Sequence, residues 1–285
     1  MTPIDLRAAL RSTFRRALRL ENRRAAVRPG RLERIPRFES KILGNARELV
    51  VYLPPGYEEH EDRRYPVLYM HDGQNLFDSD RAFIPGQHWR LREAADEAIG
   101  AEGAEPVIIV GIDHAGPARI DEYTPTRDPK KNAGGRAPDH ARMVIEEIKP
   151  LIDSRYRTLP AAADTAVGGS SLGGLDALYL AMRHPNVFAR VAVMSPSVWW
   201  HDRVILKEVE GFAGEPRPRA WLDAGVREGA EALRDVRALR DLMLRRGWNE
   251  ADLLFREERR GDHSERAWAA RARPMLEFLF PPRRL

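Results

Sequence analysis

Polar and apolar positions fall into two alternating rhythms along this chain. Short, nearly unbroken apolar runs recur at 49–53, 66–71, 106–112, 165–168, 190–194, 220–223 and 252–255. Between them lie stretches with helical spacing, near 88–101, 138–156, 175–184, 229–247 and 264–280. Continuous apolar runs suit strands buried on both faces, and strands alternating with helices predict a mainly parallel sheet with helices on both sides, an α/β fold. Residues 31–40 read as an additional antiparallel edge. Residues 113–138 carry neither rhythm and are rich in glycine and proline, so they are expected to form a long loop after a sheet strand, where α/β proteins build their sites. The pattern divides the chain into a catalytic domain over 31–285 and an appendage over 1–30. The appendage is basic and helical in spacing, with Ile4, Leu6, Leu10, Phe14 and Leu18 on one side.

Composition narrows the class. The 285 residues carry a formal charge of +4 and 43% apolar side chains, enough for a sizeable core. A modest basic excess spread along the whole chain is a poor nucleic-acid signal, and no aromatic–basic platform accompanies it. No run approaches the ~18 apolar residues of a membrane span. The chain has no cysteine, which excludes disulfides, thiolate metal sites and a cysteine nucleophile and fits a cytoplasmic setting. His71–Asp72 and Asp262–His263 adjoin, but neither has zinc-protease spacing, so no metal and no cofactor is expected. Oligomeric state is open.

The candidate chemistry lies at Gly168-Gly169-Ser170-Ser171-Leu172-Gly173-Gly174. Gly169, Ser171 and Gly173 spell G-x-S-x-G, the nucleophile elbow of an α/β-hydrolase, in which a sharp strand-to-helix turn exposes the serine oxygen. A lone match is weak in a chain containing this much glycine. Here it sits on the strand–turn–helix that the motif requires. Ser170 fails the pattern because position 172 is leucine. Serine needs a base, and in this order of elements the acid and the histidine follow it. His184 ends a helix before Pro185, His201 follows two tryptophans, and His140 lies upstream. His263 stands in a loop after the last strand and before the last helix, where a base can reach over the elbow. Two carboxylates follow the 220–223 strand. Glu228, in the loop, is better placed to reach a histidine, and Asp223 is the alternative acid, suited to pinning that loop. The backbone N–H of Leu172 and that of Gln74, in the turn after the 66–71 strand, are the candidate oxyanion donors.

These residues occur within YLPPGY (52–57), YPVLYMHDGQNLFD (65–78), RIDEYTP (119–125), GGSSLGGL (168–175), SPSVWW (195–200), LDAGVREG (222–229) and GDHSERAW (261–268). In that order they resemble the putative esterase family of α/β-hydrolases, which includes esterase D, enterochelin esterases, feruloyl esterase domains and mycolyltransferases. The resemblance runs from about residue 40 to the C-terminus. It implies Ser171 as nucleophile, His263 as base, Glu228 as acid, and Gln74 and Leu172 as oxyanion donors. It also puts Arg119, Glu122 and Tyr123 near the pocket, with Arg119 either paired to Glu122 or facing an acidic substrate group. Trp199 and Trp200 are candidate pocket walls or plain core aromatics. The expected activity is hydrolysis of a small-molecule carboxylic ester through an acyl-enzyme, in a siderophore-esterase-like or general esterase. The same triad with water excluded would give an acyltransferase, and a third option is a non-catalytic hydrolase scaffold used for binding.

Overall fold

A computed structural model describes residues 28–283. The amphipathic stretch expected within residues 1–20 lies outside the described residues. The centre is an eight-stranded sheet of β1 (Arg31–Ser40), β2 (Asn45–Leu53), β3 (Val67–His71), β4 (Ile108–Ile112), β7 (Thr165–Ser170), β8 (Arg190–Met194), β9 (Arg219–Gly225) and β10 (Leu253–Glu258). Its order is β1-β2-β4-β3-β7-β8-β9-β10. β1 pairs antiparallel with β2, β2 pairs antiparallel with β4, and every later pairing is parallel. β1 is thus the antiparallel edge that its composition implies, and its register with β2 shifts between Ile35 and Phe38, around Pro36, which lacks a ladder donor.

The period of two along each strand divides the core. Leu49, Val51 and Leu53 of β2, with Val67 and Tyr69 of β3, pack into one apolar layer. Val50, Tyr52, Leu68 and Met70 enter the other. The first layer is covered by α2 (Ala137–Arg142, then a π-helical stretch Met143–Ile148, then Lys149–Arg155), α3 (Leu172–Arg183), α4 (Trp200–Glu210) and α5 (Ala230–Arg245). The second is covered by α1 (Leu91–Gly100) and α6 (Glu265–Leu279). Both faces are dry, which is why the strands read as continuous apolar runs.

Two elements depart from the sequence reading. The 113–138 stretch is ordered by local structure: a 3₁₀ turn (Gly116–Ala118), one helical turn (Arg119–Glu122) and a small hairpin of β5 (Arg127–Asp128) and β6 (Ala133–Gly134). Helix α4 carries no helical rhythm at its start. His201, Asp202 and Arg203 all have positive φ (42°, 52° and 61°), so its entry is irregular.

Because β3, β7, β8, β9 and β10 are parallel, their carboxyl ends share one edge of the sheet. The segments leaving that edge carry Asp72–Asn75, Ser171, Ser195–Ser197, Glu228 and His263.

Candidate active site

Ser171 follows β7 and immediately precedes α3, with φ 57° and ψ −122°. A non-glycine residue at positive φ is strained. The neighbouring backbone holds it there: its N–H donates to the Met194 carbonyl at 3.0 Å, and its own carbonyl accepts from Ser197 N–H at 3.0 Å. The motif glycines are required by space. A Cβ on Gly169 would lie 2.7 Å from the Gly173 backbone, and one on Gly173 would press on His71 Cβ at 3.2 Å. The turn can therefore be this tight only without side chains at those positions.

His263 Nε2 lies 2.9 Å from Ser171 Oγ, and His263 Nδ1 lies 2.8 Å from Glu228 Oε2. The imidazole is about half exposed, with its ring edge-to-face with Trp268 at 5.0 Å between centroids. The Glu228 carboxylate is only 4% exposed. Its Oε1 accepts from Gly225 N–H and from Ser195 Oγ–H, both at 2.6 Å. Burial alone would raise its pKa, but the hydrogen bonds from His263, Ser195 and Gly225 outweigh burial and hold it below the ordinary glutamate value.

Asp223 does not touch His263. It is fully buried, and Oδ1 accepts from Ser195 N–H at 3.1 Å while Oδ2 accepts from Trp221 Nε1–H at 2.7 Å. Arg271 Nε lies 3.4 Å from Oδ2. Burial pushes this carboxyl up to about 6 despite Arg271.

The turn after β3 is fastened from several sides. Asn75 N–H donates to the Asp72 carbonyl at 2.9 Å, and Asn75 Oδ1 accepts from Phe83 N–H at 2.8 Å. A Cβ on Gly73 would sit 2.6 Å from the Gly111 carbonyl carbon, so the turn lies directly against β4. A Cβ on Gly173 would also come within 3.3 Å of Asp72 Oδ2, which places this turn beside the first residues of α3. Leu172 is the first residue of α3, where backbone N–H groups have no intrahelical acceptor and favour negative charge.

Arg119 does not pair with Glu122. It donates to both Asp72 oxygens at 2.7 and 2.8 Å and lies over the Tyr123 ring at 5.1 Å. Glu122 is buried and bound instead by Arg47 and Asn45. The two tryptophans separate. Trp200 is fully buried, donates Nε1–H to the Thr126 carbonyl at 3.0 Å, and anchors the small hairpin. Trp199 is 47% exposed, with Lys131 over its ring at 5.2 Å. His201 Nδ1 lies 2.7 Å from Thr126 Oγ1, and His184 caps the end of α3.

Two serines at the site had no role assigned from the sequence. Ser197 Oγ is 3.3 Å from Ser171 Oγ. Ser195, at φ 43°, joins Glu228 Oε1 to two buried donors, Trp268 Nε1–H at 3.1 Å and Arg271 Nη2–H at 3.0 Å. The available signal was their position in SPSVWW, directly after the strand beside the elbow strand. Among the described residues no helix is long and apolar enough to cross a membrane. The only group of three metal-ligand side chains there is His71, His140 and Asp176, from distant parts of the chain.

A family model described as "Putative esterase" matches residues 40–279. The chain is 22% identical over 246 residues to the uncharacterized protein YbbA of Bacillus subtilis (82% of this chain, 92% of that one). It is 30% identical over 163 residues to the ferri-bacillibactin esterase BesA of the same organism, and that match spans 52% of this chain and about half (53%) of BesA. Among solved structures, the BES protein from Bacillus cereus superposes with a TM-score of 0.71 at 23% identity, over 87% of this chain and 94% of that one. That likeness speaks to the fold, an α/β-hydrolase sheet flanked by helices.

Proposed function

We propose that this chain, which belongs to the putative esterase family and is a carboxylic ester hydrolase, works as a serine esterase through an acyl-enzyme. The observation that carries this reading is the unbroken relay Glu228–His263–Ser171, with steps of 2.8 and 2.9 Å. Ser171 Oγ attacks the ester carbonyl as His263 Nε2 takes its proton. Glu228 holds Nδ1–H and so fixes the tautomer that leaves Nε2 free to act as base. The developing oxyanion is received by the Leu172 and Gln74 N–H groups. His263 then protonates the leaving alcohol and, in the second half, activates water.

The rim of the site supports a substrate class. Of the large apolar residues that are exposed among the described residues, Phe83, Ile84, Trp199 and Val226 all lie on segments following the carboxyl ends of sheet strands. Phe83 is tied to the oxyanion turn through Asn75, Trp199 follows Ser197, and Val226 opens the 3₁₀ turn that carries Glu228. An apolar mouth of this kind suits an ester with an aromatic or otherwise apolar acyl group, the kind named by the feruloyl esterase among the relatives.

A fluorophosphonate probe tests the mechanism. Wild type is labelled and Ser171→Ala is not; an unlabelled wild type, or equal labelling of the variant, overturns it. Glu228→Gln is expected to lose far more turnover than Asp223→Asn, and the reverse order would move the acid to Asp223. For the substrate class, Trp199→Ala and Phe83→Ala are expected to lower kcat/KM on a feruloyl ester more than on nitrophenyl acetate. Equal losses on both esters reject the apolar mouth.

A further inference from the structure

Behind the elbow, three side chains from distant parts of the chain converge in the core. His71 ends β3, His140 lies in α2 and Asp176 lies in α3, and all three side chains are fully buried. Their ligand atoms lie within 4.8 Å of one another. His71 Nε2 is 3.1 Å and His140 Nδ1 is 2.8 Å from the same oxygen, Asp176 Oδ2.

At these separations hydrogen bonds would be expected, yet the directions are wrong. No hydrogen bond of good geometry forms: the ring nitrogens of both histidines and both Asp176 oxygens lack a well-aligned partner among the described residues. Close approach with poor aim is what ligands of a common ion show. Each lone pair points at the ion, not at its neighbouring ligand. An ion about 2.0–2.1 Å from each ligand, at angles of about 90–110°, sets ligand–ligand separations of roughly 2.8–3.4 Å.

Charge compensation points the same way. Three other buried acids have an arginine: Asp72 has Arg119, Glu122 has Arg47 and Asp223 has Arg271. Asp176 meets only the two imidazoles among the described residues. A buried carboxylate needs a cation or a full set of donors, and here the two imidazoles are the only ion-pair partners among the described residues. The Tyr123 ring closes the cluster, 5.0 Å from the His71 ring and 5.1 Å from that of His140.

We propose that His71, His140 and Asp176 bind one divalent transition-metal ion, zinc by ligand chemistry. Two imidazoles and a carboxylate are a zinc-type donor set. The ion has no part in ester cleavage, since its ligands are sealed from solvent. Its role is structural. It ties the end of β3, which feeds the oxyanion turn, to the nucleophile helix α3 and to α2, which follows the long loop. No residue of the proposed esterase relay ligates it, so this inference stands or falls separately from the serine mechanism.

The test uses untagged full-length protein expressed in zinc-supplemented medium and dialysed, folded, against a chelator. Elemental analysis is expected to give close to one zinc per chain in wild type and in Ser171→Ala, and at least tenfold less in His140→Ala and Asp176→Asn. Because those variants disturb a buried cluster, X-ray absorption on the wild type gives a second reading that needs no variant. It should report two imidazole nitrogens and a carboxylate oxygen at about 2.0–2.1 Å. Metal-free wild type, or zinc held by a different ligand set, overturns the proposal.

Discussion

Removing the Ser195 hydroxyl should slow the enzyme without touching the nucleophile. Ser195 is 2% exposed and makes three contacts through one oxygen: it donates to Glu228 Oε1 at 2.6 Å and accepts from Trp268 and Arg271 at 3.1 and 3.0 Å. In Ser195→Ala the Glu228 carboxylate keeps His263 and Gly225 as partners. A hydrogen bond to a charged group contributes about 1.5–3 kcal/mol. If the lower figure falls on the orientation of the relay, kcat drops about tenfold, since ~1.4 kcal/mol is a factor of ten. Stability should fall by about 2–4 kcal/mol, because two buried donors lose their shared acceptor. Ser195→Gly separates the two effects. Position 195 has φ 43°, so glycine relieves strain of about 1 kcal/mol that serine and alanine both carry. The glycine variant should be more stable than the alanine variant and equally slow. A positioning role also predicts a pH effect. With one donor lost, Glu228 is held less far below its ordinary value, so the acid limb of kcat/KM moves to higher pH. The assay is nitrophenyl ester hydrolysis across pH, beside thermal unfolding of the same samples. A folded Ser195→Ala protein with kcat within about twofold of wild type and an unmoved acid limb would refute the reasoning.

Three further outcomes follow from the geometry. Gly73→Ala forces a Cβ to 2.6 Å from the β4 backbone, so the oxyanion turn must shift; kcat should fall on the order of 10²–10³ with KM little changed, as read from steady-state kinetics. Glu122→Ala strands the fully buried Arg47 guanidinium and should cost about 3–5 kcal/mol in denaturant unfolding, whereas Arg47→Met with Glu122→Leu should recover most of it. Asp113 shares Arg81 with Glu48, and burial pushes its carboxyl up to about 6. A raised acid binds more protons when folded, so its stabilising effect is complete below its unfolded value and is lost as pH rises through about 6. Asp113→Asn should therefore remove roughly 1–2 kcal/mol of the decline in unfolding free energy between mildly acid and neutral pH.

The parts of the fold that were legible in the sequence are those set by local rhythm. The seven apolar runs each fall on a strand of the sheet, and the charged edge 31–40 is β1. Helix α4 was not legible, because a helix entered through three left-handed residues has no regular spacing at its start. The 113–138 stretch was read as loop because its two-residue strands are too short to show a period. Ser171, Glu228 and His263 could be singled out because each follows a strand in the order that the elbow requires. The Arg119–Glu122 pairing does not form, for a related reason. Residues three apart on one helical turn look like natural partners, yet a short turn presents them to different neighbours, Asp72 and Arg47. Partners brought by non-adjacent strands leave no local signal, and Ser195 and Asp176 belong to that class.

The site is held by two structural halves, which meet where Ser171 faces His263 and where Asn75 Nδ2–H donates to Glu265 Oε1 of α6 at 3.4 Å. Strands β3 and β7 with α3 fix the nucleophile and the turn beside it, through Gly73, Gly169 and Gly173. The acid and base are fixed from α6. Its N-cap Ser264 accepts from Ala267 N–H directly after His263, and its buried face sends Trp268 and Arg271 to the serine that holds Glu228. Ser171 Oγ–His263 Nε2 joins the halves at 2.9 Å. Shifts of α6 should therefore disturb proton transfer while leaving the strained serine in place. A substitution such as Arg271→Met would remove a donor to Ser195 and the guanidinium beside Asp223 together, and its effect on acid–base function should exceed any effect on the β3–β7–α3 half.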